Sequence, residues 1–247
     1  MRFGHFATIA ATTITIGLAH GAAYADDAGD KALASVETAM NRATTHYFEY
    51  EASTAEAGKT DKKVGLNVYI KGEKRFTEFT APADMKGTKV LILSPTEMYV
   101  YLPSYGKVRR IASHTTDQSA FGMAFSQDDL AVQKYSSQYS AAQSGDKITL
   151  TPKSGQTTTY SKIEMTIIKD KNLPSELKYY NSDGKLVKTE TRSGYTCGDG
   201  DKKSICTPAT LKMVDHTKSL TTTMTRKAWK VNEAISDETF SKRNLEK

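Results

Sequence analysis

The chain has 247 residues, of which 38% are hydrophobic and 25% charged, and it carries a formal net charge of +6 at pH 7. This length is ample for one hydrophobic core and short for two, because all-β domains of this size are often single units. The basic excess is modest and the lysines are spread singly, which argues against nucleic-acid binding. The same excess is compatible with an anionic lipid surface, and also with an ordinary soluble domain.

The first 25 residues have the three parts of a secretory signal peptide. Arg2 and His5 give a positive start, residues 6–18 are apolar and threonine-rich, and residues 23–25 fit a small-x-small cleavage site. We expect cleavage before Asp26, which leaves 222 residues with a formal charge of +5. No cysteine stands at the cleavage site, and no later segment approaches the ~20 apolar residues that a membrane span needs. The sequence therefore predicts an exported, soluble periplasmic protein without a lipid anchor.

The chain contains two cysteines, Cys197 and Cys206, on either side of a polar insert between two strand-like segments. In an oxidising compartment a lone pair that closes a short loop is most simply a disulfide at a hairpin tip. A zinc site needs four ligands, and the pair Asp199 and Asp201 lacks the later ligands of a calcium loop. We predict a structural disulfide.

Hydrophobic periodicity separates one helix from a long series of strands. Leu33, Val36, Met40 and Ala43 recur at spacings of three and four, which predicts a helix over about residues 30–45. Alternating apolar and polar residues predict the strands that follow. These predicted strands are residues 46–53, 64–70, 75–79, 89–94, 97–102, 107–112, 147–152, 157–169, 176–180, 185–192, 209–216 and 220–230.

Short turns join most of these strands, and short connections force antiparallel pairing. The turn at residues 181–184 ends in Gly184, which can adopt the positive φ that a tight hairpin needs. A long antiparallel meander must curl or split into two sheets. We expect a mainly β fold, a barrel or an incompletely closed, curved half-barrel, in one domain over residues 26–247.

One segment that interrupts the strands, residues 113–135, carries large apolar side chains. Phe121, Met123 and Phe125 come at two-residue intervals among glycine, alanine and serine, and Ser126 can cap a short helix after them. An ordinary loop would be penalised for exposing such residues. A lid over an apolar cavity would need them, so we predict that these three residues cover a ligand site.

Sequence signals for catalysis are missing. There is no Gly-x-Ser-x-Gly or Gly-x-Gly-x-x-Gly motif, and His46, His114 and His216 are far apart and not at metal-ligand spacing. Asp128 and Asp129 are adjacent at a predicted helix start, where carboxylates more often offset the helix dipole. We predict that the protein is not an enzyme and holds neither metal nor cofactor.

Several motifs, taken together, resemble those of the outer-membrane lipoprotein-sorting proteins, the LolA-like family. The resemblance covers most of the mature chain in four ordered blocks and a tail: Pro82 with Lys86–Thr88, Tyr99–Ser104, Lys107–Ile111, the Phe121–Leu130 segment, and Trp229–Asn232 followed by Ile235 and Phe240–Leu245. Two positions depart from it. Ala124 stands where the family often has an aspartate, and Tyr99 where it often has a tryptophan.

The resemblance implies an open antiparallel half-barrel whose hydrophobic cavity, covered by helices and a loop, takes up acyl chains. It implies a monomeric carrier of a lipid or lipoprotein, with a donor transporter in the inner membrane and a membrane acceptor. The alternative is an envelope sensor or adaptor of the same fold that binds a protein partner.

These considerations give a set of predicted ligand-binding residues. The lid is expected at Phe121, Met123 and Phe125. Strand alternation leaves open which face is concave, and the expected cavity wall is Leu91, Leu93, Tyr99 and Tyr101. Arg109 and Arg110 fall on opposite faces of their strand, so one is expected to face the cavity as a gate or headgroup ligand. A buried arginine there would need a carboxylate or carbonyl partner, and the alternative is an exposed pair on an edge strand.

Overall fold

The computed structural model describes residues 27–112, 119–131 and 134–247, so the predicted signal peptide and His114 lie outside the described residues. The helices are α1 (Asp27–Met40), α2 (Gln127–Leu130) and α3 (Lys242–Leu245). The strands are β1 (Thr45–Glu56), β2 (Lys62–Lys71), β3 (Lys74–Ala81), β4 (Lys89–Ser94), β5 (Glu97–Leu102), β6 (Lys107–Ile111), β7 (Tyr139–Ser144), β8 (Lys147–Pro152), β9 (Lys162–Ile168), β10 (Leu173–Tyr180), β11 (Leu186–Ser193), β12 (Thr196–Cys197), β13 (Cys206–Thr207), β14 (Thr210–Asp215) and β15 (Leu220–Val231).

Thirteen of these strands form one curved antiparallel sheet in the order β6-β5-β4-β3-β2-β1-β15-β14-β11-β10-β9-β8-β7. The long pairing of β1 with β15 runs from His46 opposite Val231 to Glu56 opposite Leu220, and it joins the two halves of the sheet. In this strand order β6 and β7 are the two edges, so the sheet is an open half-barrel. The predicted fold class is confirmed.

The concave face holds the main core. Phe48, Tyr50 and Ala52 alternate inward along β1, and Leu33 and Val36 of α1 are fully buried against that face. Helix α1 covers edge strand β7, where the Asp30 carboxylate accepts a hydrogen bond of 2.8 Å from the Ala141 amide. The helix therefore protects an edge whose backbone would otherwise be open to pairing.

Several elements differ in extent from the sequence prediction, and the differences at α1 and β7 have a clear physical cause. Helix α1 ends at Met40 rather than near residue 45, because Thr45 already pairs with Lys71 in the sheet. Strand β7, Tyr139–Ser144, was not predicted, since its serines and alanines have weak strand propensity. Its pairing with β8 and its cover by α1 stabilise it instead.

A smaller apolar cluster lies on the convex face, beneath the C-terminal tail. Phe76, Leu91 and Tyr99 pack there with Phe240 and Leu245, all of them buried. The tail thus gives the β3–β5 region a second buried face. This placement decides which strand residues can reach the concave side.

The predicted disulfide is confirmed between Cys197 and Cys206, which pair opposite each other in the β12–β13 hairpin. Just beyond the end of α1, Arg42 donates a 3.2 Å hydrogen bond to the Ser204 carbonyl of the same hairpin. The hairpin is therefore fastened beside the end of α1. Among the described helices none is long and apolar enough to cross a membrane.

Candidate ligand-binding cavity

A cavity of about 780 Å³ opens on the concave face, between the sheet, the end of α1 and the segment around α2. Such a volume is typical of sites for small ligands. Its apolar lining includes Met40, Phe48, Ile70, Phe125, Leu130 and Met224. The disulfide hairpin contributes Cys206 and Thr207 to the same lining.

The segment Ser119–Ala131, called the lid segment below, is a compact turn followed by α2. Ala120 donates a 2.8 Å backbone hydrogen bond to the Phe125 carbonyl, and Ser126 caps α2 in a reciprocal capping box with Asp129. The cap predicted at Ser126 is therefore confirmed. These local bonds fix the direction in which the apolar side chains of the segment project.

The three predicted lid residues come together, but they occupy different places. Met123 and Phe125 are buried in the concave core, and Phe125 lines the 780 Å³ cavity. Phe121 is half-buried, packs on the Phe79 ring at 4.6 Å between centroids, and lines a small neighbouring pocket with Met123. Their contact with a ligand stays a prediction.

A buried carboxylate fastens the lid segment to the sheet. Asp129 accepts hydrogen bonds from Lys188 Nζ at 2.6 Å, Tyr160 Oη at 2.7 Å and the Ser126 amide at 2.8 Å. The Asp129 and Lys188 side chains are only 1% and 9% exposed. Burial and the Asp129 charge raise the pKa of Tyr160 well above its ordinary value, so its hydroxyl stays a donor.

A second contact reaches the lid segment from β3. The Arg75 Nη1 donates a 2.7 Å hydrogen bond to the Leu130 carbonyl at the end of α2. Burial lowers the pKa of Arg75 to about 10, so the guanidinium remains charged at neutral pH. An arginine bonded to a lid carbonyl was anticipated from the sequence, but at Arg109 or Arg110.

Arg109 and Arg110 are both exposed on edge strand β6. Arg109 pairs opposite Val100 and lies on the same face of the sheet as that residue. Its guanidinium carbon lies over the exposed Tyr105 ring, 4.8 Å from the ring centroid. Arg110 lies on the other face and donates to the Thr96 carbonyl at 3.0 Å. Among the described residues that line the cavity, neither arginine is present. The structure therefore agrees with the alternative, an exposed arginine pair on an edge strand.

The predicted wall needs correction. Leu91, Tyr99 and Tyr101 lie on the convex face, where they pack in the cluster beneath the tail rather than around the cavity. Leu93 lines the cavity and also packs against that cluster. Sequence alternation could not separate the faces of β4 and β5, because both faces are apolar and both are buried.

The cavity also has a polar end that the sequence reasoning missed. Arg192 Nε lies 2.7 Å from Glu190 Oε1, and Tyr179 donates to Glu190 Oε2 at 2.7 Å. Lys188, Glu190 and Arg192 recur at every second residue of β11, so they share one face. That face of β11 is buried. Three charged residues at every second position were therefore the sequence signal for this polar end of the cavity.

His46 lines the cavity mouth as a neutral ring. Its Nδ1 accepts a 3.1 Å hydrogen bond from the Trp229 indole nitrogen, and burial lowers its pKa to about 4. His216 is remote from it and bonds Thr189 at 2.9 Å. In the part of the chain that the structure describes, no group of three or more His, Cys, Asp or Glu could hold a metal ion.

An open antiparallel half-barrel with a helix and a lid over an apolar cavity defines the LolA-like class of folds. The structure is similar to a DUF1329 family protein from Desulfovibrio piger (TM-score 0.80, 23% identity, 88% of this chain and 98% of that chain covered). It is also similar to an outer membrane lipoprotein-sorting protein domain from Vibrio parahaemolyticus (TM-score 0.75, 20% identity, 89% and 100% covered). A LolA superfamily protein from Nitrosomonas europaea matches at a TM-score of 0.70 with 17% identity, covering 87% of this chain and 98% of that chain.

The sequence matches none of the curated proteins with which it was compared. A family model, described as that of an uncharacterized protein and corresponding to the DUF1329-like family, matches residues 71–247. The chain belongs to this family. The predicted resemblance to LolA-like proteins is confirmed at the level of the fold.

Proposed function

We propose that this protein is a carrier that binds the acyl chain of a lipid or lipoprotein in its concave cavity. The observation that supports this best is the cavity itself: about 780 Å³, lined largely by aliphatic, thioether and aromatic side chains, and covered by a lid segment. Burial of hydrocarbon against such a lining is worth about 25 cal/mol per Å² of apolar surface removed from water. The named neighbours with LolA-like folds are consistent with a sorting or carrier role.

Transport requires that cargo enter and leave, and the lid segment is the part suited to move. Its polar contacts with the sheet include the bonds at Asp129 and at the Leu130 carbonyl, and a 2.8 Å hydrogen bond from the Ala124 amide to Thr222 Oγ1. Met123 and Phe125 add apolar packing. Because the segment is short and is not part of the 13-stranded sheet, displacing it would not disturb the strand pairing of the sheet. We propose that it opens at a membrane donor and again at an acceptor.

This role assigns the working protein to the periplasm, after removal of the predicted signal peptide. It needs no chemical reaction, metal or cofactor. The donor is then a transporter or lipid surface of the inner membrane, and the acceptor another membrane.

The test is to fill the cavity without disturbing the lid. Ala43 follows α1, is half-buried and lines the cavity, whereas Ala34 is exposed on the same helix. Ala43→Trp should weaken binding of a neutral probe, the methyl ester of dansyl-labelled undecanoic acid, at least tenfold. The matched control Ala34→Trp should leave the dissociation constant within about twofold.

Fluorescence titration measures both affinities, and circular dichroism checks the fold of each variant. If the unaltered protein takes up no probe, the carrier proposal fails and an adaptor that binds a protein partner becomes the better explanation. Equal affinity of Ala43→Trp and wild type would also contradict binding in this cavity.

A further inference from the structure

The charges of the cavity are not balanced, and the surplus is positive. Each of its three carboxylates has its own cation: Glu73 pairs with Lys134, Asp129 with Lys188, and Glu190 with Arg192. Arg75 also lines the cavity, but it forms no ion pair with any carboxylate of the described residues. Lys71 and Lys74 also line the cavity, but Lys71 pairs with Asp237 and Lys74 is exposed to solvent. Of the two cations without an ion pair, Arg75 is therefore the less exposed one, and it lies against the lid segment.

The Arg75 guanidinium has donor capacity to spare. It can donate five hydrogen bonds in a planar fork. Its polar contacts are the Leu130 carbonyl at 2.7 Å and the Thr77 hydroxyl at 3.4 Å. The remaining N–H groups can meet an anion while the contact with the lid segment persists. An uncompensated buried charge is costly, and it is stabilised when an opposite charge joins it.

Tyr50 adds a free hydroxyl near the same place. It is paired opposite Arg226 across β1 and β15 and lines the cavity, and its hydroxyl forms no hydrogen bond within the described residues. The positive charges of Arg75, Arg192 and Arg226 all act on this hydroxyl and oppose the rise in its pKa that burial causes. A phenol in a positive field is a good donor to an anion.

We propose that the cavity selects an amphiphile with a single anionic group, a carboxylate or a phosphate, that pairs with Arg75 while its hydrocarbon chain lies along the apolar lining. This inference rests on the carrier function proposed above and names its ligand class. A volume of about 780 Å³ suits one such molecule of small-ligand size. Tyr50 supplies a further hydrogen bond to the anion.

The test compares two probes that differ only in charge: dansyl-labelled undecanoic acid and its methyl ester. A charge-assisted hydrogen bond is worth more than the ~1.4 kcal/mol that corresponds to a tenfold change, so the wild type should bind the acid at least tenfold more tightly. Arg75→Gln should abolish the preference, so that the ratio of the two affinities falls from at least ten to about one. Arg243→Gln is the matched control, because Arg243 is exposed on α3.

Two further variants separate the charge from its other effects. Arg75→Lys retains the charge without the fork and should keep part of the preference for the acid. Tyr50→Phe should lower affinity for the acid alone, by a few-fold. Opening of the lid segment would weaken both probes alike, so the ratio of the two affinities isolates the anion contact.

The outcomes distinguish this inference from the proposed function. Equal binding of acid and ester by the wild type would overturn the anion contact and leave the carrier intact. Failure to bind either probe would overturn both. Competition by palmitate or by lysophosphatidic acid, measured separately, identifies carboxylate or phosphate as the better anion. Displacement of the acid by inorganic phosphate as effectively as by lysophosphatidic acid would overturn the requirement for an amphiphile.

Discussion

Replacing Asp129 by asparagine tests how the lid segment is held to the sheet. The substitution keeps the size of the side chain and removes the charge that Lys188 contacts at 2.6 Å. One carboxylate oxygen, Oδ2, accepts from both Lys188 and the Ser126 amide. An amide placed there offers either one neutral acceptor or a donor that repels them.

The expected loss follows from the burial of the pair. The Lys188 side chain is 9% exposed, so without Asp129 its ammonium remains in the interior with no opposite charge. Breaking a buried pair by removing one partner costs about 3–5 kcal/mol. Since whole domains are stable by only about 5–15 kcal/mol, Asp129→Asn should lower the urea midpoint by roughly 1–2 M.

Urea unfolding followed by circular dichroism measures this change, and a double-mutant cycle assigns it to the pair. Lys188→Met alone leaves the carboxylate with its bonds from Tyr160 and Ser126, and should cost less. The loss of stability in the double variant should be smaller than the sum of the two single losses by at least ~1.5 kcal/mol. This is a typical coupling energy for groups in contact.

The matched control is the surface pair of Lys171 and Asp170, 3.5 Å apart with side chains 38% and 73% exposed. Asp170→Asn should change the free energy of unfolding by no more than about 0.5 kcal/mol. Additive losses at Asp129 and Lys188, or a loss below 1 kcal/mol for Asp129→Asn, would refute the reasoning that this buried pair anchors the lid segment.

Two other predictions concern the mouth of the cavity and the convex face. The pKa of His46 falls from its ordinary 6.5 to about 4 on folding, so the unfolded chain takes up this proton first as the pH drops. The neutral His46 ring therefore contributes fully to the free energy of unfolding above pH 6.5, and about 2–3 kcal/mol of that free energy is lost as the pH falls towards 4. In His46→Gln the free energy of unfolding measured with urea should fall by about 2–3 kcal/mol less over the same pH range. Phe240→Ala should cost about 3 kcal/mol, because the ring is 4% exposed, yet leave affinity for the neutral probe within twofold. A large loss of probe binding in Phe240→Ala would instead indicate that the convex cluster forms part of the ligand-binding wall.

Much of the fold could be predicted because alternation is a direct consequence of a half-buried strand. The pattern of Val64, Leu66 and Val68 defines β2, and the cores of β4, β5 and β8 were predicted to the residue. The cap at Ser126 and the disulfide were readable for the same reason, since each depends on a few neighbouring residues. Strand β7 was not, because α1 stabilises it from a distant part of the sequence.

The cavity wall was assigned to the wrong face for a reason that local sequence does not contain. In β4, Val90 and Ile92 face the concave core while Leu91 faces the tail, and all three are buried. Apolar residues on both faces remove the contrast from which an orientation is derived. The deciding element is the tail around Phe240, almost 150 residues further along the chain.

The sequence does contain a signal for Arg75 as a cavity residue. It is a charged residue that shares a face with the inward-facing apolar residue of its strand. In β3, Arg75 and Thr77 alternate with the convex Phe76, and they share the face of Phe79, which is buried in the concave core. A single arginine at such a position either lies in solvent at the end of the strand or is buried and has a function. The sequence points to Arg109 and Arg110 instead because a doubled arginine is conspicuous, but their strand, β6, is an edge of the sheet.

The contacts of the lid segment divide into two kinds with different consequences. Hydrophobic contacts of Met123 and Phe125 are non-directional, so they favour a covered cavity without defining where the cover lies. Asp129 and the Leu130 carbonyl do define it, because Asp129 bonds Lys188 of β11 and the carbonyl bonds Arg75 of β3. These strands belong to opposite halves of the sheet, so a change in curvature that separates them must break or stretch one contact. In the proposed carrier, release of cargo and widening of the half-barrel would be linked through these hydrogen-bonded positions.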